Sequence, residues 1–273
     1  MSDLPTYSVY AIKYADRAGV RKDHFLGGDP DGDSPMSLSY YTWLITDEQQ
    51  QRSWVLDTGF SEQTASLTAL QRSRTYHRRP AEGLRLLGVD PATIEGVILS
   101  HLHYDHSGTV EDYPNARIHL QERELSYATG RQMLIDTVRH VFAVDDVTTV
   151  VHALYEGRVD LLDGDEELAP GLSLHLLGGH TGGNQVVRVH TARGWIVLAS
   201  DASHFYENIE TDRPFAIAYE PERVLAGYRR MYELADSRAH VIPGHDPLVM
   251  ERYPAPSSDL EGIVVRLDVP PKA

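Results

Sequence analysis

The chain contains no cysteine. Disulfides, thiolate metal sites and a cysteine nucleophile are therefore all excluded. Basic residues are few: 25 Lys and Arg stand against 40 Asp and Glu, a formal net charge of −15. A surface of that sign repels nucleic acid and anionic lipid, so neither is expected as a partner. Long apolar runs are missing as well. The longest clean one covers residues 195–199, far short of the roughly 20 residues that a membrane helix needs. Residues 1–10 carry no basic stretch followed by an apolar one, so no secretory signal is read there and the expected location is cytoplasmic. No repeat, low-complexity tract or Pro/Ser-rich linker before Pro254 divides the chain, which is read as one domain, 1–273.

The remaining composition, 41% hydrophobic and 24% charged over 273 residues, is enough for a sizeable core. Short apolar runs closed by polar or Gly-rich residues predict strands at 40–45, 54–56, 97–99, 117–120, 172–177, 185–189, 195–199 and 240–242. Helices are predicted at 61–74, 80–87 and 221–235. The last opens with Pro221 and puts Val224, Leu225, Tyr228 and Tyr232 on one face. Residues 122–142 hold one or two helices, because Gly130 weakens a single long one. Strands in both halves with helices between them predict an α/β fold: two mixed sheets packed face to face with outer helices, an αββα sandwich. Residues 24–35, HFLGGDPDGDSP, are too rich in Gly, Pro and Asp for regular structure and read as either a disordered loop or a functional lid. Asp29, Asp31 and Asp33 alternate there, but the glycine and distal Glu of an EF-hand are absent, so calcium is not expected.

With thiolates excluded, the 14 histidines become the natural ligands for a transition metal. The densest signal is Ser100-His101-Leu102-His103-Tyr104-Asp105-His106, directly after the strand at 97–99. On extended backbone His101 and His103 point to one side and can share an ion, with Asp105 on the same parity. His106 leaves that row and can serve a second ion. His180 follows the strand at 172–177 within Gly178-Gly179-His180-Thr181-Gly182-Gly183, whose glycines would let backbone approach an ion and leave room for substrate. Asp201 follows the strand at 195–199, and His245 follows 240–242 within Pro243-Gly244-His245-Asp246. Each lies just past the carboxyl end of a strand. If those ends share a rim, His101, His103 and His180 serve one ion, Asp105, His106 and His245 serve another, and Asp201 bridges them. The set suits two divalent transition-metal ions, Zn²⁺ foremost, with Mn²⁺, Fe²⁺ or Co²⁺ also compatible. Two such ions sit about 3.5–4 Å apart and share a hydroxide that is a strong nucleophile near neutral pH. Asp57, in Asp57-Thr58-Gly59 after the strand at 54–56, is expected to orient a ligand histidine from behind.

Asp57-Thr58-Gly59, the His101-x-His103-x-Asp105-His106 run, His180, Asp201 and His245, in that order, resemble the metallo-β-lactamase superfamily across nearly the whole chain. Residues 100–108 and 201–208, with Pro214-Phe215 and Pro221-Glu222, resemble the N-acyl-homoserine lactonase branch more closely. The resemblance implies a hydrolase that opens a lactone ring by attack of the bridging hydroxide, with a small lactone or ester as its partner. Monomer and homodimer are both compatible with it. One position departs from the branch. A tyrosine lies three residues after the bridging aspartate in many such lactonases, and here that position is His204. It can donate a hydrogen bond or act as a general acid with a pKa near working pH. Tyr206 is the other candidate to replace the tyrosine. Asp105, His204 and Tyr206 are thus the residues expected nearest the chemistry, and Phe25, Leu26, Met36 and Phe205 are expected to wall an acyl tail.

Rival activities remain on the same ligands. A thioesterase of the glyoxalase II type would need a C-terminal substrate domain, and only 28 residues follow His245. True β-lactamases usually lack the bridging aspartate. Other ester or phosphotriester hydrolysis stays open. A non-catalytic ligand-binding protein is less expected, because all seven ligand candidates are present.

Overall fold

The computed structural model describes residues 4–66 and 74–272. The first sheet takes β1 (Ser8–Arg17), β2 (Leu38–Asp47), β3 (Arg52–Leu56), β4 (Arg74–Tyr76), β5 (Gly96–Ile98), β6 (Arg117–Gln121) and β7 (Val159–Leu162). The second takes β8 (Glu166–Ala169), β9 (Leu172–Leu176), β10 (Gln185–Thr191), β11 (Gly194–Ser200) and β12 (Val241–Pro243). A late strand, β13 (Val264–Arg266), returns to the first sheet beside β1. The strand orders are β13-β1-β2-β3-β5-β6-β7, with β4 also on β1, and β12-β11-β10-β9-β8. Pairing from β3 through β5 and β6 to β7 is parallel, as is β11 with β12; the other neighbours are antiparallel.

The period of two along each strand sorts side chains into layers. Trp54 and Leu56 point inward and meet Leu174, Val187, Val189, Ile196 and Leu198 of the other sheet. Val55 and Val97 point outward onto Leu84, Val147 and Val150, carried by helices Pro80–Leu86 and Val144–Tyr155. On the other side Val186, Val197 and Ala199 pack under Val224, Tyr228 and Met231 of helix Pro221–Leu234. The result is helix, sheet, sheet, helix. Each fully buried aliphatic or aromatic side chain contributes roughly 1.5–3 kcal/mol by leaving water.

All eight predicted strands are present, within a residue or two at their ends. The predicted helix at 61–74 is only partly described: Glu62–Ser66 is helical, 67–73 lie outside the described residues, and Arg74 opens a strand instead. The 122–142 segment divides at Gly130 into helix Glu122–Ala128, a 3-10 turn at Arg131–Leu134 and helix Asp136–Arg139. Two long elements are additions. β1 hides its pattern behind Lys13, Asp16 and Arg17 and a register shift between Lys13 and Ala15. Helix Val144–Tyr155 is rich in β-branched residues, which favour strands. The 24–35 loop is pinned: Asp29 accepts from Arg21 at 3.0 Å and from Arg213 at 2.8 Å, and Arg21 also reaches Glu207 at 2.6 Å. Among the described residues, no helix is long and apolar enough to cross a membrane.

β3 and β5 run parallel, as do β11 and β12; β9 shares their direction with β11 because both oppose β10. Backbone bonds then join the two sheets at this end. Gln185 N–H donates to Ser100 O at 3.0 Å, and Ser39 N–H to His245 O at 2.9 Å.

Candidate metal centre

Because those strand ends meet, the side chains just past them converge. Imidazole nitrogens of His101, His103 and His180 and an oxygen of Asp201 lie within 4.8 Å of one another. Asp105, His106 and His245 form a second such group. Asp201 stands between the groups with its two oxygens divided. Its Oδ2 is 3.2 Å from His180 Nε2 and 3.9 Å from His101 Nε2. Its Oδ1 is 2.9 Å from His245 Nε2 and 3.3 Å from His106 Nε2. Asp105 Oδ2 is 3.7 Å from His106 Nε2 and 3.8 Å from His245 Nε2. The route to this placement differs from simple strand parity. Residues Tyr104–Ser107 form a helical turn, which swings Asp105 and His106 together toward the second group.

The rear nitrogen of four imidazoles is committed. His101 Nδ1–H faces Ser100 Oγ at 2.9 Å, His106 Nδ1–H faces Asp57 Oδ2 at 2.7 Å, His180 Nδ1–H faces Ile217 O at 2.8 Å, and His245 Nδ1–H faces Ser39 O at 3.0 Å. With the proton held at Nδ1, each Nε2 lone pair is left facing the centre. His101 Nε2, His106 Nε2 and Asp201 Oδ1 are buried without a hydrogen-bond partner among the described residues. Buried polar atoms are rarely left so, and lone pairs converging on shared points fit divalent cations. Burial and neighbouring imidazoles hold His101 and His103 well below the usual histidine range, as neutral ligands must be, whereas at His106 burial is outweighed by the carboxylates of Asp201, Asp57 and Asp105, which raise it well above that range. Burial pushes Asp201 up, but the imidazoles of His204, His106 and His245 outweigh it and hold the carboxylate well down.

Asp57 is the hub beneath. It is fully buried and adopts a left-handed φ of 59°. Its carboxylate accepts from Ser100 N–H at 2.8 Å, Ser100 Oγ at 2.9 Å, Ser200 Oγ at 2.7 Å and His106 Nδ1–H. Ser200, before Asp201, is also left-handed at φ 42°. Such conformations persist only where surroundings over-determine them. Glu124 was not legible as a site residue. Its buried carboxylate accepts from Leu102 N–H at 3.0 Å, Gly183 N–H at 2.9 Å and the Thr181 hydroxyl, tying the His101–His103 segment to the His180 loop. A lone Glu in the first turn of a helix gives no sign of that in the sequence.

A cavity of about 370 Å³ opens onto this floor. His204 lines it, with Nε2 3.0 Å from Asp201 Oδ2 and its ring between those of His180 and His245, at 5.2 and 5.0 Å. The ring stacks on Phe215 at 3.5 Å and 10°. Burial pushes its pKa down to about 3 against the pull of Asp201. His204 is therefore a neutral imidazole at working pH, which removes the expected role of an acid poised near 7 and leaves that of a hydrogen-bond donor.

Several expectations about the substrate side are corrected. Tyr206 begins a helical turn, Tyr206–Glu210, and its ring points into the core between the sheets, under the Arg252 guanidinium at 3.8 Å. It does not line the cavity. Phe205 packs behind the wall against Leu38, Phe215 and Met36. Phe25 lies beneath Arg213 at 3.9 Å, and Leu26 is on the surface. The wall is instead Leu38, Val141, Phe215 and Ile217. Gly178 and Gly179 adopt left-handed φ of 67° and 91°, and a Cβ there would strike Arg223 and Val224, so they serve helix packing rather than substrate access.

Residues 38–249 match the family model of the metallo-beta-lactamase superfamily. The chain is similar to N-acyl homoserine lactonase AiiA of Bacillus thuringiensis subsp. kurstaki, 27% identical over 221 residues, which covers 77% of this chain and 82% of that one. Among solved structures, a quorum-quenching N-acyl homoserine lactone lactonase superposes with a TM-score of 0.69 at 24% identity, covering 91% of this chain and 95% of that one. AidC, a dizinc quorum-quenching lactonase, does so with a TM-score of 0.69 at 15% identity, covering 90% and 89%. At those identities the two structures speak to the fold.

Proposed function

Since the chain belongs to the metallo-beta-lactamase superfamily, we propose that it is a binuclear metal-dependent hydrolase that opens a lactone ring, of the N-acyl homoserine lactone kind or a related one. The observation that carries this is the division of Asp201, whose Oδ2 faces His101 and His180 while Oδ1 faces His106 and His245. A carboxylate so placed could serve two ions at once. His101, His103 and His180 would hold one and Asp105, His106 and His245 the other. Zinc suits these nitrogen and oxygen donors first, and Mn, Fe or Co are also compatible. When bound, such a pair supplies an activated water and polarises an ester carbonyl.

The chain's own residues do the rest. Asp57 fixes His106 and, through Ser100, His101, so the donors need not reorganise as ions and substrate arrive. Leu38, Phe215 and Ile217 give the cavity an apolar side, which strengthens the polar contacts made against it. His204, which lines the cavity, would donate to the lactone carbonyl or to the departing ring oxygen. A second recess of about 230 Å³ shares His103 and His180 with the first and continues past Val138, Tyr127 and Tyr219. It gives an apolar substituent somewhere to lie, as an acyl lactone requires.

The test is a pH-stat panel of lactones, thioesters, β-lactams and phosphotriesters with metal-loaded protein. Lactones should turn over fastest, releasing one proton per ring opened. Silence on every lactone beside rapid thioester or phosphotriester turnover would overturn the substrate class.

A further inference from the structure

Arg17 ends β1, opposite Leu38 of β2 and Arg74 of β4. Its side chain lines the same cavity as His204 and His245. The residue is only 9% exposed. Its Nε and Nη2 are buried and have no hydrogen-bond partner among the described residues. Other arginines of this region are paired: Arg21 with Asp29 and Glu207, and Arg213 with Asp29. Asp23 and Asp105 line the same cavity, yet no described group hydrogen-bonds Nε or Nη2 of Arg17. Buried guanidinium N–H groups left without an acceptor are unfavourable, and proteins rarely keep them unless something arrives to accept from them. Arg74 lines the cavity from the facing strand and reaches the Tyr104 hydroxyl.

We propose that Arg17 is a specificity-determining residue that binds a carboxylate carried by the substrate, so that the preferred lactone is an anionic one bearing a carboxylate beside its reacting ring. The planar fork of a guanidinium matches a carboxylate with two parallel hydrogen bonds. A cavity of about 370 Å³ holds a small ring with a compact charged substituent. The apolar wall of Leu38 and Phe215 shields that pair from water and so strengthens it. The inference rests on the hydrolytic reading for the reacting group and adds a second point of recognition, which an uncharged acyl amide would leave unmet.

The test uses zinc-loaded protein and two matched probes. γ-Butyrolactone-γ-carboxylate and its primary amide measure kcat/KM, while the non-hydrolysable lactams pyroglutamate and its primary amide measure binding by calorimetry. Wild type should prefer the carboxylate over the amide by about 10- to 100-fold in both assays, the worth of a hydrogen-bonded charge pair. Arg17→Gln should erase that preference, chiefly through KM. Arg17→Lys should keep part of it, and it carries the comparison if Arg17→Gln does not fold. Equal handling of carboxylate and amide by wild type, or equal losses on both in Arg17→Gln, would overturn the inference and leave the lactonase reading standing. Arg17-dependent binding of pyroglutamate with neither lactone opened would support the anion subsite and reject the lactonase reading.

Discussion

On the floor of the cavity every imidazole of the two donor groups but one has its rear nitrogen tied: His101 to Ser100, His106 to Asp57, His180 to Ile217 and His245 to Ser39. On the wall, Leu38, Val141, Phe215 and Ile217 come from one strand and two segments outside the sheets. Leu38 and Phe215 meet by apolar packing in a small cluster of their own. The floor's geometry is thus set by directional bonds before any ligand arrives. The wall is set by contacts that tolerate exchange of one hydrophobe for another of similar volume. Chemistry should therefore be lost by changes to the floor, and substrate preference altered by changes to the wall.

The largest effect expected is at the bridge. Asp201→Ala removes the one carboxylate that faces both donor groups, so metal content and turnover should fall together, turnover by several orders of magnitude. Elemental analysis beside a lactone assay checks it; full metal content with lost turnover would separate Asp201 from the bridge. Asp57→Ala leaves every proposed ligand in place but frees His106 and Ser100. Loss of such a supporting partner typically costs about 10- to 100-fold in metal affinity or activity. Zinc titration against a competing chelator measures it, and an unchanged affinity would show that the hub serves folding alone. His204→Ala should keep its metal and lose roughly tenfold in rate, the worth of a neutral hydrogen bond. His204→Tyr should recover most of that. Because burial holds His204 near 3, it stays neutral from pH 5 to 9, and both wild type and His204→Tyr should show pH–rate profiles without a limb from this residue near pH 6–7. A limb present in wild type and absent from the tyrosine variant would restore the general acid.

The smallest effect lies away from both floor and wall and serves as their control. Asp146, in the first turn of helix Val144–Tyr155, is pushed up to about 7 by burial, Glu111 and Asp145. Its folded pKa exceeds the unfolded value near 4, so the folded state holds the proton more tightly. Stability from this group is full below about pH 4 and is lost as pH rises through about 7. Asp146→Asn should stabilise the fold by about 1–2 kcal/mol at pH 8 and by little at pH 4. Urea melts at the two pH values read it, with lactone turnover unchanged.

The floor was legible in the sequence and the wall was not, for physical reasons. A metal centre needs particular side chains at strand ends, and His101, His103, Asp105, His106, His180, Asp201 and His245 stand there as a pattern of residue types. Their sharing of one rim depended on strand directions, which the apolar runs could not state. The wall needs only apolar surface, which any of Phe25, Leu26, Met36 and Phe205 could offer; the turn at Tyr206–Glu210 and the pinning of Asp29 by Arg21 and Arg213 decide that Leu38 and Phe215 are used instead. Tyr206 was misread for the same reason, since one helical turn points it into the core. Arg17 carried no signal at all, because its meaning lies in what is missing around it.

The most direct measurement is a zinc titration of metal-free protein with lactone opening followed in the same vessel. Little turnover is expected through the first equivalent, then a steep rise with the second and a plateau at two ions per chain. Full turnover reached at one equivalent, with no gain from a second, would contradict the bridging role of Asp201 and the binuclear centre with it.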